Sequence, residues 1–241
     1  MQIRRQGPVR GFTLIEVLVA ISVMALMALM AWRGLDGMLR TQSSLQLRSD
    51  EIRTLQAGLA QWQTDHDQLI EIPGTPSWAW DGKVLLLTRK AADAPPSNTG
   101  APVSPNLRVV AWTWRSDPGR PGGGDWQRWQ SGPLTRLKDW QTAWELGRQW
   151  SQSPDEATRA GQVQIHALAG WQLFVHRGGS WANPLSSDVV TPASNTPAAA
   201  NNTNGSTPDG IRLVLTLPPG PMGTGTLSLD WIHPALSGAP S

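Results

Sequence analysis

The stretch Gly11-Phe12-Thr13-Leu14-Ile15-Glu16-Val17, which runs on as LVAISVMALMALMAW to Trp32, decides the architecture. From Phe12 to Trp32 there are 21 residues and a single charge, Glu16. A helix of that length rises roughly 31 Å at ~1.5 Å per residue, about the thickness of a bilayer core. Proline is absent between Pro8 and Pro73, so nothing breaks the helix early. Ahead of it lies a short leader, MQIRRQGPVRG, with Arg4, Arg5 and Arg10 and no acid. Arginines on that side keep it cytoplasmic, so the remainder of the chain is expected to be translocated.

A cleaved secretory signal also starts basic and turns apolar. Three features argue against one. The apolar run is long enough to span, no A-x-A-like site closes it, and it carries a carboxylate near its cytoplasmic end. A charge inside a membrane is costly and marks a functional hypothesis by default. From the residues alone, Glu16 reads as a carboxylate near the membrane interface, solvated or protonated.

The G-F-T-L-I-E-V string, with its basic leader and apolar run, resembles the class III signal of type IV pilins and type II secretion pseudopilins. The resemblance implies a prepilin peptidase that cuts between Gly11 and Phe12 and then methylates the new amino terminus at Phe12. It implies that Glu16 serves assembly by meeting the terminal amine of a neighbouring subunit in a filament. A buried carboxylate needs such a cation or donor.

Beyond the apolar run the pattern changes. Ile52, Leu55, Leu59 and Trp62 fall at helical spacing, with Leu45 one heptad earlier and Arg48, Asp50, Glu51 and Arg53 between or beside them. The second half of the helix is therefore amphipathic, with its stripe expected to pack on a globular domain. Gly34 and Gly37 each weaken a helix by roughly 1 kcal/mol relative to Ala and suggest a bend. Ile72-Pro73-Gly74 should end it.

Strands follow. Residues 83–90 (KVLLLTRK), 107–115 (LRVVAWTWR), 126–130, 162–168, 171–177, 211–217 and 227–232 alternate or run apolar between Gly/Pro turns. Val110, Trp112 and Trp114 share one face. Residues 137–150 read as a short helix or loop. Two stretches, 91–105 and 189–210, are rich in Ala, Pro, Ser, Thr and Asn and are expected to be flexible loops. The expected fold is α+β and pilin-like: a long N-terminal helix, membrane-spanning in its first half, packed on an antiparallel β-sheet domain. Its divisions are a leader (1–11), a span (12–32), a periplasmic amphipathic half (33–72) and a β-rich periplasmic domain (78–241).

Within that superfamily the chain is similar to the J-type minor pseudopilins of type II secretion. The similarity rests on Arg33-Gly34-Leu35-Asp36, LLLTR at 85–89, VVAWTWR at 109–115 with its WQRW partner, GGSW at 178–181 and PDGIRLVLTL at 208–217. It implies an inner-membrane protein whose partners are the prepilin peptidase, the I-, K- and H-type minor pseudopilins and the major pseudopilin. It implies no catalysis and no cofactor; the calcium known in some pseudopilins is not carried over, because no D-x-[DN]-x-[DN]-G loop occurs. Two other functions remain open: a minor pilin of a type IV or DNA-uptake pilus, and a membrane-anchored periplasmic carbohydrate-binding or enzymatic protein.

Candidate sites are few. There is no Cys, which excludes disulfides, thiolate metal sites and a cysteine nucleophile. No zincin, serine-hydrolase, phosphate-loop or calcium-loop pattern occurs. His66 stands between Asp65 and Asp67 and reads as a solvated polar helix end, because adjacent helical residues face different ways. The 14 Trp contrast with no Tyr and two Phe. Trp78, Trp80, Trp112, Trp114, Trp126, Trp129, Trp140, Trp144 and Trp150 read as core filler, with a sugar or partner platform as the alternative. Trp32 suits an interfacial anchor.

The formal charge of +2 and pI of about 9.7 suggest a polyanionic partner. Removing the three leader arginines leaves 17 basic residues against 18 acidic. The basic balance therefore reports membrane orientation, and no nucleic-acid partner is expected.

Overall fold

The computed structural model describes residues 11–91, 107–177, 179–186, 207–220 and 223–234. The leader, with Arg4, Arg5 and Arg10, lies outside them. So does most of the two expected loops, although Ala91 is described and buried, and Gly210 opens a strand. The chain divides into two compact units, Met1–Ser49 and Asp50–Ser241.

Helix α1 (Leu14–Asp67) contributes to both units and runs unbroken through Gly34 and Gly37. Within the first unit it is long and apolar enough to cross a membrane, and its apolar window has no buried residue. Short polar side chains bond back to the helix, Ser22 Oγ to the Leu18 carbonyl and Thr41 Oγ1 to that of Gly37. Asp36 and Arg40 pair one turn apart at 2.8 Å.

The second unit holds two antiparallel sheets. Strands β1 (Trp78–Trp80), β2 (Val84–Lys90), β3 (Leu107–Ser116), β4 (Gly124–Gln130) and β5 (Gln162–Leu168) form the first, in the order β1-β2-β3-β4-β5. Strands β6 (Gly170–Arg177), β7 (Ser180–Ala182), β8 (Gly210–Leu217) and β9 (Gly225–Ile232) form the second, in the order β7-β6-β8-β9. Helix α2 (Leu137–Gln152) and the short α3 (Glu156–Arg159) lie between β4 and β5 in sequence.

Period-two alternation splits the first sheet into two apolar faces. One face carries Val84, Leu86, Val109, Ala111 and Trp129 and is covered by Trp140, Ala143, Trp144 and Trp150. Those four recur at helical spacing along α2, which settles residues 137–150 as helix. The other face carries Leu85, Leu87, Val110, Trp112 and Trp126. It packs with Leu55 and Trp62 of α1 and with Leu173, Val175, Ile211, Leu213, Leu215 and Trp231 of the second sheet.

The α1 stripe differs from the expected one. Leu55, Gly58, Trp62, Asp65 and His66 are buried, whereas Ile52 and Leu45 stay exposed, because burial in the second unit begins only at Leu55. Gly58 sits in the stripe because a side chain would not fit. A Cβ there would collide with Ile165 Cγ2 and lie 3.1 Å from Trp126. Gly147 plays the same part for α2, against Leu86 and Trp129.

The second correction concerns the helix end. Asp65 and His66 are buried rather than solvated, with relative exposures of 0% and 1%. Asp65 accepts Arg128 Nε at 2.7 Å and Arg128 Nη2 at 2.9 Å. It also accepts Trp112 Nε1 and Gln61 Nε2, both at 2.9 Å, with Arg89 Nε at 3.4 Å. The carboxylate thus ties α1 to β2, β3 and β4. Asp67 reaches the other sheet, accepting Trp231 Nε1 at 2.8 Å.

Removing the carboxylate takes away the buried anion that Arg128 and Arg89 share. Asp65→Ala is expected to lower stability by about 3–5 kcal/mol, read from urea unfolding of the full chain in detergent micelles by near-UV circular dichroism. Gly58→Ala is expected to cost about 1–3 kcal/mol in the same assay, since Ile165 is β-branched and the Trp126 ring blocks retreat.

Candidate functional site

The residues expected to serve processing and assembly, Gly11, Phe12 and Glu16, lie at the start of α1. Gly11, Phe12 and Thr13 precede the first helical residue, Leu14. Nothing lies within 4 Å of where a Gly11 side chain would stand, and Phe12 is 89% exposed. The bond between them therefore lies outside the helix in open, unhindered backbone, accessible to a protease.

Thr13 starts the helix. It is the N-cap, and Glu16, three residues on, closes a capping box with it. The Thr13 amide donates to Glu16 Oε2 at 2.9 Å and the Thr13 hydroxyl donates to the same oxygen at 2.8 Å. In return the Glu16 amide points at Thr13 Oγ1 at 3.4 Å. The sequence reading singled out Gly11, Phe12 and Glu16 and passed over Thr13. Its signal was the T-x-x-E spacing at the head of an apolar run. The structure brings all four residues together in six positions of chain. It also places a carboxylate beside the positive end of the helix dipole, where negative charge is favoured.

Residues 8–32 match the model of the prokaryotic N-terminal methylation motif. The match indicates a type IV pilin-like or pseudopilin protein. It implies processing by a prepilin peptidase and pilin-type partners. The matched residues and the apolar part of α1 coincide, and the α+β arrangement of the second unit is consistent with a pilin-like fold.

The other candidates do not gather into a site. Asp65 and Asp67 turn to different sheets, with His66 between them bonded to its own helix. His166 is half-buried, and burial pushes its pKa down. His176 lies against Trp181, with Asp209 4.0 Å away. Among the described residues no group of three or more His, Asp or Glu is arranged to hold a metal ion. An open groove of about 680 Å³ runs between α2, α3 and the β4–β5 pair, lined by Leu134, Leu146, Val163 and the polar Arg108 and Asp139. Asp139 is paired with Arg136 at 2.9 Å.

The tryptophan platform is absent. Trp78, Trp80, Trp112, Trp126, Trp129, Trp140, Trp144 and Trp150 are buried, and Trp114 is partly buried against the same core. Their indoles pack on one another, as in Trp112–Trp126 at 4.7 Å and Trp140–Trp144 at 5.0 Å. They are core filler.

Thr13→Ala removes the hydroxyl of the capping box while leaving the peptide chain intact. Loss of an N-cap costs a helix about 1 kcal/mol. Faster amide exchange at residues 14–17 of the unprocessed chain in micelles is expected, with exchange from Leu55 to Trp62 unchanged.

Proposed function

We propose that this chain is a minor pseudopilin of a type II protein secretion system, of the J type. In this reading it waits in the inner membrane with residues 33–241 in the periplasm. It joins the I-, K- and H-type minor pseudopilins at the tip of a short pseudopilus and helps prime its assembly on the major pseudopilin. It performs no catalysis, needs no cofactor and binds no nucleic acid.

The observation that carries the reading is the junction at Gly11–Phe12. An accessible peptide bond stands immediately before a capped, uninterrupted apolar helix that bears one carboxylate. An ordinary anchor has no need of that carboxylate. A subunit that must pass from the bilayer into a filament does, because the charge sets its depth and register against a neighbour's terminal amine. The J-type assignment draws on the strand motifs LLLTR and VVAWTWR with its WQRW partner, which form neighbouring strands β2, β3 and β4. The inward-facing tryptophans remove the main support for a sugar-binding alternative.

Gly11→Val is expected to block processing, so that intact-mass measurement finds the 11-residue leader retained. Cleavage at the wild-type rate would remove the processing assignment. Glu16→Ala should reduce co-purification with the other minor pseudopilins and reduce secretion of folded exoproteins. Normal secretion together with a full complement of partners would overturn the assembly role. Recovery of pilus subunits in place of pseudopilins would move the chain to a type IV pilus.

A further inference from the structure

His66 is the most completely buried titratable imidazole in the described residues, and nothing in the reading above uses it. Its ring is 1% exposed. Nδ1 lies 2.7 Å from the Trp62 carbonyl oxygen, one helical turn back. A carbonyl only accepts, so Nδ1 carries the proton and Nε2 is the bare acceptor. Nε2 is fully buried and has no hydrogen-bond partner. The imidazole is wedged between two indoles, with its centroid 4.4 Å from Trp62 and 5.4 Å from Trp231.

The position matters because of what stands on either side. Asp65 is bound to the first sheet through Trp112 and Arg128, with Arg89 adjacent. Asp67 is bound to the second sheet through Trp231 alone. The Asp65 connection is multiple, charged and buried. The Asp67 connection is a single hydrogen bond to an exposed carboxylate. His66 packs on the same Trp231 that makes that bond. Trp231 belongs to β9, which pairs only with β8 and forms the edge of its sheet.

We infer that His66 is an acid-sensitive latch: protonated, it leaves the slot between Trp62 and Trp231 and frees edge strand β9 from the end of α1, while the first sheet stays fastened through Asp65.

A second proton on the ring must go to Nε2, where no acceptor waits. The charged groups around it do not compensate well. Asp65 and Asp67 favour the cation, but Asp65 is already shared between Arg128 and Arg89, and Asp67 is engaged by Trp231. From the β9 side His233 stands with its ring 5.7 Å from Trp231. Burial accordingly pushes the His66 pKa down to about 4, against the opposing pull of the Trp62 carbonyl and the two carboxylates. Since the folded value is depressed below that of an open, solvated imidazole, the closed state is fully favoured above about pH 6.5. That advantage is lost as the pH falls from there towards 4. Freed from α1, β9 is left with the β8 ladder alone and opens from it more often, while the first sheet stays intact.

The test is hydrogen exchange of the full chain in micelles at pH 7 and pH 5, with protection factors corrected for intrinsic exchange. Protection of β9 is expected to fall about twentyfold relative to pH 7, the factor that a shift from 6.5 to about 4 produces at pH 5, with β3 unchanged. His66→Gln, which does not titrate, should remove the pH dependence of β9. If that variant does not fold, Trp231→Phe serves instead, because it deletes the Asp67 bond and should already lower β9 protection at pH 7. NMR titration of the wild-type ring gives an independent check, with a midpoint well below 6 expected. Unchanged β9 protection at pH 5, equal loss in β3 and β9, or the same acid response in His66→Gln would each overturn the latch.

Discussion

The Asp65 carboxylate is the constraint on which the second unit depends. It sits at zero exposure, with both oxygens engaged by side chains from its own helix and from β2, β3 and β4. A buried ion pair is weak evidence for stability, because desolvation offsets much of the attraction. Its value here is orientation. Only one rotation of α1 puts Asp65 against Arg128 and Trp112. That same rotation turns Trp62, Leu59, Gly58 and Leu55 inward, at steps of three or four residues. Gly58 then lets the helix come close enough for the bonds to form, since any side chain there would strike Ile165.

The tryptophan core follows from the same geometry. With no Tyr and only two Phe in the chain, indoles fill the volume between α1 and the sheets and between α2 and β2–β4. An indole brings one donor that must be satisfied or left buried at a cost of about 1–3 kcal/mol. Trp112, Trp140, Trp150 and Trp231 solve this with Asp65, Thr88, Gln162 and Asp67 respectively. Trp62, Trp78 and Trp126 bury the N–H without a partner. Two of the buried polar residues, Asp65 and Thr88, are counterparts of tryptophan donors, which gives each a partner among apolar neighbours.

The long strands were legible because alternation is a local property. Residues 84–90, 107–116 and 210–217 announce their faces within each strand, and the apolar span announces itself by length. β1 and β7, at three residues each, are too short to carry a period, and each is held only by a longer neighbour. The Asp65-His66-Asp67 end was misread for a different reason. Its partners, Arg89, Arg128, Trp112 and Trp231, lie between 24 and 164 residues along the chain from the carboxylates they engage, so a local pattern of charge resembles a solvated terminus. A clue was present: Arg89 and Arg128 fall on the inward-facing phase of otherwise apolar strands, and two buried cations require an anion. Thr13 was missed although its signal was local, because the capping pattern overlapped a motif already assigned to processing.

Glu16 and Asp65, two of the carboxylates of α1, illustrate how the same group can be held in opposite ways. Asp65 draws partners from three strands distant in sequence, so exchanging any of them requires the domain to open. Glu16 draws its partners from Thr13, three residues away, through one amide and one hydroxyl. Such a cap is worth about 1 kcal/mol and constrains nothing beyond the first turn. A cationic amine brought close in a medium of low dielectric outweighs it. The Thr13 cap is strong enough to keep the helix start formed and weak enough to be exchanged for another partner. A carboxylate held as Asp65 is held is not available for such an exchange, and one held as Glu16 is held could not fix a helix on a sheet.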